Sequence, residues 1–343
     1  VVWEVYMVPR EGAESSAAPS TSDAQTIMKP TWGNAPGVPA TGGATWTSYT
    51  LDPDRGLLYV PGGNPAPDFV PKLRPGTNLM TDSVVVLDAR TGAYRTHFQL
   101  VPEDFHDWDV AAAPALFTTS SGRRLLAATP KDGNLYVYDL DSGRRLYKVP
   151  VTTIDNAEAP LSRRGTHFCP GTQGGSEWNG PAYDPATNLI YTGAIDWCTT
   201  VTVVAPEAAA KVGLAQPWTG SSDDQNAFGV QDRTNRWAGW LYASAAETGE
   251  TAWRFKAPAP ILGGVTPTAG GLVFFGDMAG RAYAFDAQSG KQLWSQDLGA
   301  AVGGGVISYE VGGRQRVAFT SGLTSPIWPT PLTTAKLIVF GLK

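Results

Sequence analysis

The run Glu103-Asp104-Phe105-His106-Asp107-Trp108-Asp109 packs four carboxylates, a histidine and two aromatics into seven residues. It lies between a strand-like run at 98–100 and an apolar run at 111–117. In an extended segment, side chains two apart share a face, so Asp107 and Asp109 are expected to point into one cavity. Carboxylates so placed repel each other until a cation bridges them or one takes up a proton. The first outcome is a metal site and the second a general base. A solvated acidic turn is the competing reading, and the stretch alone leaves it open.

Positioning such a site falls to a set of internal repeats. A short apolar strand, an acidic or polar residue, Ser/Thr-Gly and a second strand recur along the chain. Copies are Val86-Leu87-Asp88-Ala89-Arg90-Thr91-Gly92, Val137-Tyr138-Asp139-Leu140-Asp141-Ser142-Gly143, Ala243-Ser244-Ala245-Ala246-Glu247-Thr248-Gly249 and Ala284-Phe285-Asp286-Ala287-Gln288-Ser289-Gly290. Tyr147, Trp253 and Trp294 follow the last three glycines by four residues, and Trp3 falls where a fifth copy would carry its tryptophan. Each copy reads as a tight hairpin whose acid accepts backbone N–H bonds and whose glycine takes positive φ. The aromatic is then expected to pack on a neighbouring unit. A second repeat, a strand, a Pro-bearing turn and a strand, interleaves at Asp52-Pro53 and Asp184-Pro185. About one four-stranded unit per 40–55 residues is the period of a β-propeller blade. No 3.6-residue apolar stripe runs through these windows, which excludes helical solenoids.

Composition agrees. The 343 residues accommodate one large all-β domain or two ordinary ones. With 39 glycines, 27 prolines and only 17% charged residues, the chain suits many short strands and turns. A formal net charge of −5 makes a nucleic-acid partner unexpected. No apolar run is long enough for a transmembrane segment. Residues 9–42 and 65–78 read as long Pro-rich connections, residues 154–176 as a basic insertion, and residues 206–238, with Ser221-Ser222-Asp223-Asp224, as a surface excursion. The opening Val1-Val2-Trp3-Glu4-Val5-Tyr6 reads as strand-like and as the continuation of an earlier part. Cys169 and Cys198 are either free thiols or one disulfide, the latter implying an oxidising compartment. His97, His106 and His167 form no Ser-His-Asp pattern, so a cofactor-free hydrolase or lectin propeller lacks support.

Gly42-Gly43-Ala44-Thr45-Trp46, Gly62-Gly63-Asn64-Pro65-Ala66-Pro67, His106-Asp107-Trp108-Asp109, Gly263-Gly264-Val265 and Thr268-Ala269-Gly270-Gly271-Leu272-Val273-Phe274, together with the tryptophan repeats, resemble the pyrroloquinoline-quinone (PQQ) alcohol dehydrogenases. The resemblance runs from residue 1 to 343. It implies an all-β, eight-bladed quinoprotein propeller, of which this chain, a single N-terminally incomplete domain over 1–343, carries roughly five to six blades by repeat spacing. It also implies oxidation of a primary alcohol, polyol or sugar by hydride transfer to PQQ beside a Ca²⁺ or lanthanide ion, in the periplasm. Cytochrome c or a membrane quinone would be the electron acceptor.

Site residues follow from the same resemblance. Trp46 matches the indole floor under the quinone, where a large ring stacks on a planar cofactor. Asn64 matches an amide ligand of the metal, suited to a hard cation. Asp109, directly after Trp108, matches the catalytic base and a further metal ligand. Ala111 stands where the lanthanide-using branch has a second acid, which points to Ca²⁺. Asp107 receives no role and is expected to be a neighbouring acid, solvated or hydrogen-bonded. Lys131 matches the cation that stabilises charge on the reduced quinone oxygens. Glu177 holds a position where the family often has Asn, and Asn179 follows two later; either is a candidate quinone contact. Cys169 and Cys198 match a structural disulfide, worth roughly 3 kcal/mol in the chain-entropy model. A vicinal cysteine pair, a glutamate ligand and an arginine contact of the family lie outside this chain, so weak cofactor binding by the chain alone is expected. The alternative is a non-catalytic scaffold like the outer-membrane-assembly propellers, which share the tryptophan repeat. A scaffold has no use for Trp46, Asn64, Asp109 and Lys131 in that order.

Overall fold

A computed structural model describes residues 2–10, 19–211, 218–222 and 226–341. The Asp223-Asp224 part of the expected excursion lies outside the described residues. Four consecutive four-stranded antiparallel sheets and a three-stranded one follow each other along the chain. Blade 1 comprises Thr50–Asp52, Leu57–Pro61, Ser83–Asp88 and Tyr94–Gln99; blade 2 comprises Ala115–Thr118, Arg124–Ala128, Asn134–Asp139 and Arg145–Pro150. Blade 3 comprises Ala182–Asp184, Leu189–Asp196, Ala238–Ala245 and Thr251–Ala257; blade 4 comprises Thr266–Pro267, Leu272–Gly276, Arg281–Asp286 and Gln292–Asp297. Blade 5 comprises Val306–Val311, Arg314–Ser321 and Lys336–Gly341. Strands are hydrogen-bonded in chain order within every blade, the up-and-down order of a propeller.

Burial explains why these residues form these strands. Leu189–Asp196 is almost continuously buried because both of its faces meet a neighbouring blade, and Ser83–Asp88 because one face meets blade 2 and the other the N-terminal segment and the helix Pro19–Met28. Fourth strands such as Arg145–Pro150 alternate between exposed and half-buried residues. The core is a series of seams between sheets. Phe98, Val86, Leu126 and Tyr138 join blades 1 and 2; Leu135, Val137, Ile190 and Ala194 join blades 2 and 3. Tyr191, Leu241, Phe275 and Phe285 join blades 3 and 4; Phe274, Val302 and Phe319 join blades 4 and 5.

The Ser/Thr-Gly copies sit at the turn between third and fourth strands. Asp88 Oδ1 accepts the Arg90 and Thr91 N–H groups, Asp139 Oδ1 accepts that of Ser142, and Asp286 Oδ1 that of Ser289. Gly92, Gly249 and Gly290 take φ of 71°, 76° and 71°. Their bare Cα faces are where aromatics lie: Trp3 covers Gly92, Tyr147 covers Gly249 and Trp253 covers Gly290. Each ring then donates to a carbonyl of the same turn, Trp3 to Ala89, Tyr147 to Ala246 and Trp253 to Ala287. Trp294 instead packs on Phe319 and Phe340 of blade 5.

Several expectations need correcting. Residues 2–6 form no strand; Trp3, Val5 and Met7 pack on blade 1 without sheet partners. The connection at 9–42 contains the helix Pro19–Met28, whose Ala24 and Met28 join that cluster. Gln25 on this helix accepts the Arg10 N–H and donates to the Val8 carbonyl, which supplies partners a free connection lacks. Residues 11–18 of it lie outside the described residues. The 206–238 excursion belongs to a longer departure between the second and third strands of blade 3. In it, Thr199–Val201 pairs with Val230–Gln231 and with Thr166–Phe168 of the basic insertion. Cys169 and Cys198 are disulfide-bonded at the end of that strand pair, as the resemblance implies.

Candidate functional site

Loops from blades 1, 2, 3 and 5 converge on a cavity of about 370 Å³, within the range of small-molecule sites. Its wall includes Ala44, Trp46, Asn64, Asp68, Asp107, Asp109, Lys131, Gln173, Glu177 and Trp178, closed by Phe228 and Ser325, Ile327 and Trp328. Glycine makes the first approach possible. At Gly63 a Cβ would stand 2.5 Å from Asp109 Oδ1 and 3.0 Å from the Ala44 carbonyl. With hydrogen there, Asp109 Oδ1 accepts the Asn64 N–H at 2.8 Å, and Gly63 N–H bonds the Ala44 carbonyl at 2.9 Å. Gly43 N–H bonds the Asn64 carbonyl at 2.8 Å, which draws the tract leading to Trp46 over Asn64.

Lys131 is brought in by its own backbone, whose N–H donates to the Asp109 carbonyl at 3.0 Å. Its Nζ stands 2.7 Å from Asp109 Oδ2, 3.2 Å from Asp107 Oδ2 and 3.8 Å from Glu177 Oε1. It also lies 5.9 Å from the Trp46 ring centroid, within the range of cation–π attraction. Gly175, at φ 74°, packs its Cα directly against the Lys131 carbonyl, where a side chain would collide. Glu177 follows, its N–H held by Asn179 Oδ1 at 2.9 Å.

The acidic stretch departs from its expected conformation. None of residues 103–109 is in a strand, and Asp107 is left-handed at φ 65°. Asp107 and Asp109 reach one cavity through that local turn, not through strand alternation. Of the two expectations for Asp107, solvated or hydrogen-bonded, it meets the second: it is buried and accepts from Lys131. Asp104 organises the turn by accepting the His106 and Trp108 N–H groups. His106 faces away from the cavity, stacked on Trp108 at 3.9 Å and edge-on to Phe168 at 4.6 Å. Burial drives its imidazole down to about 3, so it is neutral at pH 7.

Asn179 does not line the cavity. Its amide donates to the Gly193 and Ile261 carbonyls at 2.8 Å each, while its oxygen serves Glu177. Its part is to fix the Glu177 loop. Sequence reasoning missed Asp68, Gln173, Trp178 and the completely buried Arg74. The Arg74 guanidinium bonds the Pro67, Asp68 and Asp104 carbonyls and Asn78 Oδ1, tying the 65–78 loop to the acidic stretch. Asp68, four after Asn64, and Trp178, directly after Glu177, were legible neighbours of candidate residues. Arg74 has no local signal: three of its acceptors lie within seven residues, but the burial of its guanidinium and the Asp104 carbonyl, thirty residues away, come only with folding.

The electrostatics are dominated by uncompensated acid. Burial raises Asp68 to about 7 against the pull of Arg74, Glu177 to about 7 against Lys131, and Asp104 to about 6. Asp107 is pushed well above the usual range by burial, with Lys131 opposing. Burial alone would lower Lys131, but Asp107, Asp109 and Glu177 outweigh it and hold the ammonium well above its usual range. Glu177 Oε1 is buried with no hydrogen-bond partner among the described residues, and such an orphaned acceptor is costly.

Comparison with known proteins places these features. A family model described as the β-propeller domain of glucose/ethanol/alcohol dehydrogenases matches residues 18–160. A model of the outer membrane protein assembly factor BamB matches residues 237–314, the tryptophan repeats of blades 3 to 5. Quinohemoprotein alcohol dehydrogenase ADH-IIG of Pseudomonas putida is 29% identical over 93% of this chain and 48% of its own length. Lupanine 17-hydroxylase [cytochrome c] of a Pseudomonas species is 30% identical over 94% of this chain and 47% of its own length. Among solved structures, the ADHIIG enzyme superimposes with a TM-score of 0.75 at 25% identity, covering 89% of this chain and 48% of that one. A europium-containing methanol dehydrogenase superimposes with a TM-score of 0.70 at 26% identity, covering 82% and 51%. The chain spans about half the length of the curated relatives it matches.

Proposed function

We propose, from the premise that this chain belongs to the PQQ-dependent alcohol dehydrogenase family, that its cavity is part of a site oxidising a primary alcohol, polyol or sugar to the aldehyde. The observation that carries this reading is the convergence of Trp46, Asn64, Asp109 and Lys131 on one cavity, with Lys131 Nζ 2.7 Å from Asp109. The residues fit the groups the reaction needs. Asp107, Asp109 and Glu177 carry three formal negative charges around one ammonium; a divalent cation balances the remaining two. Asn64 and Asp109 would hold it, oxygen donors suited to Ca²⁺. Ala111 favours Ca²⁺ over a lanthanide. Trp46, 46% exposed, offers a bare aromatic face for a planar ring.

PQQ, when bound, supplies the electrophilic carbon that takes the hydride. The chain's own residues do the rest. Asp109 takes the alcohol proton on a carboxylate oxygen, held in place by the Asn64 N–H. Lys131 presents its ammonium to negative charge that develops on neighbouring oxygens. Electrons would pass to cytochrome c or a quinone. The Cys169–Cys198 disulfide suits an oxidising compartment such as the periplasm, and no helix of the described residues is long and apolar enough to cross a membrane. The scaffold alternative draws on the BamB match, which covers residues 237–314 and none of the four site residues.

The test is expression of the full-length gene with PQQ and either Ca²⁺ or La³⁺, followed by dye-linked oxidation of an alcohol panel. Asp109→Asn is expected to lose about 10²-fold or more in kcat. Unchanged turnover in that variant removes Asp109 from the role.

A further inference from the structure

Lys131 has more partners than its proposed task requires. Its ammonium contacts three carboxylates, and only Asp109 has a part in the chemistry above. Asp109 is also shared: Oδ1 accepts the Asn64 N–H, Oδ2 holds Lys131, and a cation would draw on the same oxygens. A cation held by Asp109 would repel the ammonium and weaken a lone Asp109–Lys131 pair. A buried ammonium without a counter-charge is strongly disfavoured.

Two features show a second support. Asp107 adopts a left-handed backbone, φ 65°, which aspartate tolerates but does not prefer. That turn is what delivers Oδ2 to within 3.2 Å of Nζ. Glu177 is only 3% exposed, and its Oε1 has no hydrogen-bond partner although it lines the cavity 3.8 Å from Nζ. Its backbone is locked by Asn179, whose amide is anchored to the carbonyls of Gly193 and Ile261. Among the described residues, the cation beside a side chain so constrained and so poorly satisfied is Lys131.

We propose that Asp107 and Glu177 are positioning residues forming a clamp that keeps Lys131 Nζ over the Trp46 face when a metal ion engages Asp109. The inference rests on the proposed function for the metal's place at Asn64 and Asp109, and it assigns a positioning task to two acids which that function uses only as charge. Neither acid touches the reacting atoms; both act through Lys131.

The test measures the acetylation rate of Lys131 by acetic anhydride, resolved by peptide mass spectrometry, with and without Ca²⁺. The exposed Lys72 serves as the internal reference. In the unmodified chain, Lys131 is expected to stay protected in both conditions. In Asp107→Asn/Glu177→Gln it is expected to react about tenfold faster, as befits loss of one charged hydrogen-bond partner and one nearby carboxylate, and faster again with Ca²⁺, while Lys72 is unchanged. Asp107→Glu restores protection, which a purely steric role for Asp107 would not predict. Ca²⁺ exposing Lys131 in the unmodified chain overturns the clamp, as does a double variant as protected as the unmodified chain. The first of these needs no variant to fold. Since no turnover is measured, failure here is separable from failure of the dehydrogenase reading.

Discussion

At the residue scale, the cavity stores electrostatic cost. Asp68, Asp104 and Glu177 have carboxyls raised by burial to about 7, 6 and 7. Acids raised in the fold bind more protons folded than unfolded, so they weaken the fold as pH rises from about 4 to about 7. These groups are therefore expected to lower the melting temperature of the cation-free chain by about 3 °C or more between pH 5 and pH 8. Ca²⁺ is expected to restore it at pH 8 and to have little effect at pH 5, where these groups hold protons. Calorimetry at the two pH values, with and without Ca²⁺, checks this; a melting temperature that rises towards pH 8 without Ca²⁺ contradicts it. What sequence reading could see here was identity and order. Trp46, Asn64, Asp109 and Lys131 carry their chemistry in residue type and motif. The burial of Asp107 and the orphaned oxygen of Glu177 arise from packing that no local pattern encodes.

At the element scale, the turns between third and fourth strands are docking points, and they are not equivalent. Gly249 has the Tyr147 ring against it, 2.6 Å from where a Cβ would stand, whereas none of the described residues lies within 4 Å of the corresponding point at Gly143. Blade 1 has Thr96, not an aromatic, four residues after Gly92. Its seam with blade 2 closes instead through Phe98 and Tyr138, with centroids 4.8 Å apart. Both glycines are left-handed, at φ 69° and 76°, so alanine costs about 1–2 kcal/mol at either position. Gly249→Ala is expected to cost at least about 1 kcal/mol more, because Tyr147 must give way. Urea unfolding of the two variants measures the difference, and equal losses would refute the docking role. These turns were the most legible part of the chain: at three of them an Asp, a Ser or Thr and a Gly in fixed order specify a hairpin by local hydrogen bonds, while at Gly249, where Ala245 holds the Asp position, backbone bonds close the turn. The helix Pro19–Met28 was not legible, since its stability comes from packing on blade 1.

At the scale of the whole molecule, five sheets fit the expected run of about five to six blades. The cavity draws on loops widely separated in sequence, from Ala44 to Trp328. Trp46 and Trp178 remain 46% and 40% exposed, so a planar cofactor would gain little enclosure from these residues alone. The 343-residue chain is accordingly expected to bind PQQ with a Kd above about 1 µM, less than about 8 kcal/mol; a fluorescence titration showing nanomolar binding would defeat this. The Cys169–Cys198 bond holds the excursion of blade 3, which contributes Phe228 to the cavity wall. Its reduction is expected to lower stability by about 3 kcal/mol, measured as a shift in the urea midpoint.

Sequence alone determined the repeat, its β period, the turn chemistry and the order of the candidate site residues, because each depends on contacts within a few residues. Tertiary structure decided which side chains share the cavity. It chose the hydrogen-bonded over the solvated state for Asp107, turned Asn179 into a brace, and placed Arg74 between two loops. Those outcomes depend on burial and on partners far away in the chain, where electrostatic and hydrogen-bonding costs are set by what folding brings near.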